Sequence, residues 1–182
     1  AGAVVTGSVS LGMLKSGLTF SRPGVITGPY GDVVSPEDAM KLGGAAGAYK
    51  RIGVGWSGGE AARVLAEALG SGLCAGGGDL IRIDARFPAA AAYAGALLSL
   101  GLTVFIEESG EDVALMFFGK GGLDLTREAE RKLEAAVSQA HRVTARRAGH
   151  ATTAGGISEA YIAAAAREAA FFVYTPPKRF PE

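Results

Sequence analysis

Between Leu102 and Gly122 the chain reads LTVFIEESGEDVALMFFGKGG: an apolar run, a short acidic turn, and a second apolar run closed by glycines. Each run is too short for a buried helix and rich in β-branched and aromatic residues, so the stretch predicts two neighbouring strands, Leu102–Ile106 and Val113–Phe118. Their connection is expected to be a two-residue hairpin turn at Ser109-Gly110, flanked by the carboxylates of Glu107, Glu108, Glu111 and Asp112.

Strand and helix patterns alternate around this pair. Ser35 is a natural N-cap for a helix to about Tyr49, with Pro36 at its first position and Glu37 and Asp38 at the positive helix end. Gly43 and Gly47, four apart on one face, predict a close approach by a neighbour. Arg51–Gly55 reads as a short strand, and Ser57-Gly58-Gly59-Glu60 as a capping box opening a helix to about Leu73. A strand at Leu80–Ile83, a helix from Phe87 to about Leu100 opened by Pro88, and an amphipathic helix from Arg127 to about Arg142 follow. The first 31 residues read as glycine-punctuated β structure, with SGLTF and GVITG as strands. The whole pattern predicts an α/β layer structure. Residues 1–143 are expected to form one domain, 144–156 a Gly/Thr/Arg-rich linker, and 157–182 a C-terminal helix and tail.

With 182 residues, 48% of them hydrophobic and 20% charged, the chain has enough apolar volume for a core. Its formal net charge of zero gives no electrostatic reason to expect nucleic acid or an anionic membrane. No apolar run approaches the ~20 residues of a membrane helix. The first residues lack the basic start of a secretory signal, so the cytoplasm is the expected location. Cys74 stands alone and is expected to be an inert, buried thiol.

The order of motifs resembles the N-terminal domain of the α-D-phosphohexomutases, the phosphomannomutase/phosphoglucomutase family. SPEDAMKLG (35–43) looks like the family's first helix start, and RIGVGWSGGEAARVLAEALGSGL (51–73) like its strand–loop–helix. Pro88, Tyr93 and Leu100-Gly101 match its next helix; FFGKGGLDLTREAERKLE (117–134) matches the segment after the catalytic loop, and EAYIAAAAREAAF (159–171) the helix leading out of the domain. The resemblance implies a three-layer α/β/α sandwich around a small mixed sheet. In the family, a phosphoserine and a bound Mg²⁺ move a phosphoryl group between sugar hydroxyls, with further domains carrying the metal and sugar sites.

On that resemblance Ser109 falls at the phosphoserine position. The family's histidine beside it is Gly110 here, and the acids around Ser109 would repel a phosphoryl group of charge about −2. A cation held by those acids would reverse the balance, but adjacent Glu107 and Glu108 point to opposite sides of a strand, which weakens a cage. The family's first phosphate motif corresponds to Thr27-Gly28-Pro29-Tyr30-Gly31, without its arginine, and Gly55-Trp56-Ser57-Gly58-Gly59 stands where the family has two more. Arginine grips phosphate bidentately, so these losses point away from catalysis. Backbone N–H groups at Ser57, Gly58 and Gly59 remain a candidate anion site at a helix start.

Two further signals compete. Gly53-Val54-Gly55-Trp56-Ser57-Gly58 fits G-x-G-x-x-G, and Asp84 ends the next strand, as a dinucleotide site would require. That reading fails if the strand runs through Gly55. His141 and His150, near Arg142, Arg146 and Arg147, read as a solvated basic region, and Trp56 as a core anchor. The apolar tail Phe171–Pro177 either folds back or packs on a second chain. The expected function is therefore that of a phosphohexomutase-related protein without mutase activity on its own, acting by binding or assembly. Its expected partners are a sugar phosphate and, through the C-terminal helix and tail, a second copy. No cofactor and no metal site are expected. The alternative is one component of a split phosphohexomutase, with Ser109 as phosphoryl carrier and Mg²⁺ as cofactor; the third is a nucleotide-binding α/β protein.

Overall fold

The computed structural model describes residues 18–139 and 145–173. The strands are β1 (Val25–Pro29), β2 (Arg51–Ser57), β3 (Asp79–Ile83), β4 (Leu102–Ser109), β5 (Asp112–Phe118) and β6 (Ala151–Ala154). The helices are α1 (Pro36–Ala46), α2 (Glu60–Ala75), α3 (Pro88–Leu97), α4 (Arg127–Ser138) and α5 (Ile157–Val173). The strands form one mixed sheet in the order β1-β5-β4-β2-β3-β6. β4, β2, β3 and β6 run parallel, while β5 is antiparallel to both β4 and β1. This is the expected sandwich, with helices on both faces.

Strand alternation divides the core between the faces. Ile52, Val54, Leu80, Val104 and Ile106 meet Leu65, Leu69 and Leu73 of α2, with α1 and α4 alongside. Ile81, Ile83 and Phe105 meet the alanines of α3 and Ile157 of α5 on the opposite face. Helices α1 and α2 pack backbone to backbone: a Cβ on Gly43 would fall on the Leu69 carbonyl oxygen, and one on Gly72 on that of Met40. The close approach read from Gly43 and Gly47 is thus present. Helix α4 is less solvated than its charge suggests. Its Glu130, 2% exposed, accepts the Gly24 N–H at 2.7 Å, and Glu134 accepts that of Phe20 at 2.9 Å, tying down the segment that enters β1.

Three local expectations change. The hairpin pairs Ser109 with Asp112, so its two central residues are Gly110 and Glu111, one step later than expected. Gly110 has φ +65°, the left-handed backbone that a primed turn needs at its first central position. The segment expected to be a linker contains β6, which extends the sheet beside β3. Residues 18–20 are not strand, and the rest of SGLTF lies outside the described residues, as do His141, Arg142 and the tail beyond Val173. Cys74 is half-buried on α2. Among the described residues, no helix is long and apolar enough to cross a membrane.

Candidate functional site

In an open α/β sheet, ligands settle at the carboxyl ends of the parallel strands, where the chain turns to opposite faces. Here that place lies around the ends of β2, β3 and β4: β2 is flanked by β3 and β4, and α2 and α3 cover opposite faces. Ser57, Gly58, Gly59, Asp84, Glu108 and Ser109 all come from these strand ends or the residues just after them.

The N-terminus of α2 is the obvious anion seat, but a carboxylate of this chain sits on it. Glu108, near the end of β4, accepts the Ala62 N–H at 3.1 Å, the third N–H of the helix. Gly58 and Gly59 wrap it closely: a Cβ on Gly59 would lie 2.8 Å from Glu108 Oε1, and one on Gly58 2.9 Å from the Glu108 Cβ. The capping box expected from Ser57 and Glu60 does not form, because the N-cap is Gly59 and no side chain within the turn caps the helix. Alternation is the reason. Ser57 ends β2 on the face of Gly53 and Gly55, away from α2, and pairs with Glu107. Glu60 is occupied by Arg63, whose hydrogen bonds of 2.6 and 2.9 Å hold its carboxyl below the ordinary glutamate range. Ser109 is exposed at the tip of β4, opposite Asp112.

Asp84 plays the same part for α5. Its carboxylate accepts the N–H groups of Gly156 and Ile157, both at 2.9 Å. Ser158, 1% exposed, closes the junction by accepting the Arg86 N–H at 3.0 Å and donating to the Asp84 carbonyl at 3.2 Å. Arg86 also pairs with Glu159.

The dinucleotide fingerprint is accidental. β2 runs through to Ser57, so Gly53 and Gly55 lie inside a strand and not in a phosphate loop. They are small because of packing: a Cβ on Gly53 would lie 2.6 Å from Leu100 Cδ1, and one on Gly55 2.9 Å from Ile83 Cγ1. Asp84, the expected ribose partner, is engaged by α5. Of the carboxylates near Ser109, Glu108 turns in to Ala62 while Glu111 and Asp112 are exposed. Among the described residues no three acids, histidines or cysteines come together as a metal site.

What remains beside these caps is a cavity of about 390 Å³ lined by Trp56, Arg82, Ile83, Asp84, Ala85, Arg86 and Thr153. Trp56 is half-buried and packs against the α2-side core, while Arg82 and Thr153 are exposed. No sequence motif marks this group; only the register of β2, β3 and β6 brings it together.

Solved structures match this architecture. One, described as a phosphomannomutase from Thermus thermophilus, aligns with a TM-score of 0.67 at 17% identity, over 82% of this chain and 36% of its own. The fold is phosphohexomutase-like. A phosphoglucomutase/phosphomannomutase family protein from Burkholderia thailandensis aligns with a TM-score of 0.58, also at 17% identity, over 74% of this chain and 32% of its own. The chain thus spans about a third of each structure, as a phosphohexomutase domain I-like unit would, and at such identity the likeness is one of fold. No protein-family model and no curated protein matches the sequence.

Proposed function

We propose that this chain is a phosphohexomutase-fold module that performs no phosphoryl transfer of its own and acts by binding or assembly. One observation carries the reading: the Glu108 carboxylate sits on the α2 N-terminus, a helix start at this strand edge that would otherwise suit a phosphate. An anion arriving there would meet the Glu108 carboxylate, already hydrogen-bonded to the Ala62 N–H. Ser109, the carrier in the split-enzyme reading, lies on the same strand next to that glutamate and has no histidine or arginine adjacent in sequence.

The purified protein is expected to show no hexose-phosphate mutase turnover with Mg²⁺ and a bisphosphate activator. Turnover abolished by Ser109→Ala would overturn this reading and establish Ser109 as the carrier. A thermal-shift comparison of sugar phosphates, nucleotides and divalent cations tests the ligand side; stabilisation by a sugar phosphate that persists in Glu108→Ala would put its site away from the α2 N-terminus. Stabilisation by nucleotides alone would favour nucleotide binding instead.

A further inference from the structure

Among the described residues β6 is an open sheet edge. It pairs only with β3 among the described residues, and Ala151, Thr152 and Thr153 are all exposed. Leu80 donates to the His150 carbonyl at 2.7 Å and Asp84 to the Ala154 carbonyl at 3.3 Å. Even-numbered residues of β6 therefore face β3, and alternation turns the N–H and C=O groups of Ala151 and Thr153 outward. Soluble proteins commonly blunt such an edge with lysine, proline or a bulge; this one is short but carries none of them.

The surroundings select what could pair there. Thr153 stands in register with Arg82, so both point to the same face, and Trp56 lies on that face two residues beyond Val54, the Arg82 partner on β2. A strand added outside β6 would place a side chain next in this row, about 5 Å beyond Thr153 and about 10 Å from the Arg82 backbone. That is within reach of an extended arginine meeting a glutamate. Arg146 and Arg147, both exposed, precede β6 on a segment fixed to α2 by the Ala145 and Gly149 N–H groups, each at 2.9 Å from its carbonyl acceptor. Arg82, Arg146 and Arg147 have no carboxylate partner among the described residues. The acids nearby have partners of their own: Asp79 the His150 N–H, Asp84 the N–H groups of α5, and Glu159 the Arg86 side chain. Backbone N–H donors do not neutralise Asp79 and Asp84, so an added carboxylate is favoured where it reaches Arg82 and not at the α5 start.

We infer that the β6 edge binds an extended acidic peptide segment, which adds a strand through Ala151 and Thr153 and sets a carboxylate side chain over Arg82 beside Trp56. This rests on the binding reading above and names its partner class. Backbone pairing supplies strand recognition, and Arg82 selects an acidic side chain in the Thr153 row.

The probe is a synthetic peptide alternating glutamate and valine, with a lysine-for-glutamate version as control, titrated against the full chain at low and physiological salt. The acidic peptide is expected to bind and to weaken with salt; the lysine version is not. Arg82→Glu is expected to weaken binding roughly tenfold or more. Thr153→Pro removes an outward N–H without breaking a ladder bond and should weaken it similarly. Amide exchange at Ala151 and Thr153 of the unmodified chain should slow on peptide addition, a readout that does not depend on either variant folding. Absence of binding, or binding without protection of those amides, would overturn the inference. So would a single-stranded RNA oligonucleotide that binds more tightly than the peptide and is equally lost in Arg82→Glu. Mutase turnover in the same preparation would overturn the non-catalytic reading alone and leave peptide binding to stand or fall on its own data.

Discussion

Helices α1 and α4 begin on hydroxyls from their own stretch of chain, whereas α2 and α5 begin on carboxylates delivered by distant strand ends. Ser35 accepts the Asp38 N–H at 3.1 Å in a capping box with the Asp38 carboxylate, and Thr126 accepts the Ala129 N–H at 3.2 Å. For α2 the cap comes from Glu108, 46 residues away; for α5 it comes from Asp84, more than 70 residues away. The first pair closes a helix and nothing more. The second pair also changes what the carboxyl edge of the sheet can do, because two of the helix starts at that edge carry a carboxylate of the chain itself, while α3, which follows β3 there, begins without a side-chain cap.

The sharpest way to break this contrast is Asp84→Ala. It strips the Gly156 and Ile157 N–H groups of their acceptor while leaving the Ser158 hydrogen bonds to the backbone in place, so a loss of about 2 kcal/mol is expected in denaturant unfolding. A loss no larger than a surface substitution would show that α5 is held by packing alone. Glu108→Ala should cost about 1–2 kcal/mol, since one helix N–H loses a charged acceptor that is only half-buried. It should also open the α2 N-terminus, so that inorganic phosphate raises the melting temperature of this variant and leaves the unmodified protein unchanged. Equal phosphate response in both would mean that Glu108 does not occupy the anion seat. The local caps should matter somewhat less: Ser35→Ala and Thr126→Ala are expected to cost about 1 kcal/mol each, with no phosphate response.

Glu60 gives the smallest effect and the cleanest discrimination. The sequence pattern makes it the capping glutamate of α2, but the structure gives that task to Glu108 and leaves Glu60 to Arg63. Glu60→Ala should hardly change the melting temperature, as exposed ion pairs contribute little. In an NMR titration the Glu60 carboxyl should titrate below the ordinary glutamate value, and Arg63→Ala should return it there. Because the folded value is the lower one, the pair's contribution is present above the unfolded-state value and disappears as the pH falls through the folded one. A large loss of stability in Glu60→Ala would restore the capping box.

The same contrast explains what the sequence made legible. The cap of α1, the close packing at Gly43 and the alternating strands are written within a few neighbouring residues, where spacing carries the physics; the Thr126 cap of α4 is just as local but was not read. The motif order was enough for the sandwich around a mixed sheet. The α2 cap was misread because S-x-x-E looks the same whether or not its serine faces the helix, and strand alternation at Ser57 turns it away. β6 was missed because Ala-Thr-Thr-Ala is an exposed edge with no buried alternation to read. The hairpin turn was placed one residue early because serine and glycine both suit turns; the pairing of Ser109 with Asp112 decides between them. The cavity beside Trp56 depends on the register of three strands, which no local pattern encodes.

The hairpin tip has a consequence for engineering. A side chain built on Gly110 would touch nothing within 4 Å, and the two central residues connect strands that are paired right up to Ser109 and Asp112. Extra residues inserted there would extend into open solvent, at a closure cost of only ~0.6 kcal/mol for each doubling of loop length. The tip is therefore a natural port for a transplanted loop: a reporter tag, a recognition epitope or a longer connection could be grafted between Gly110 and Glu111 while the sandwich beneath keeps its packing.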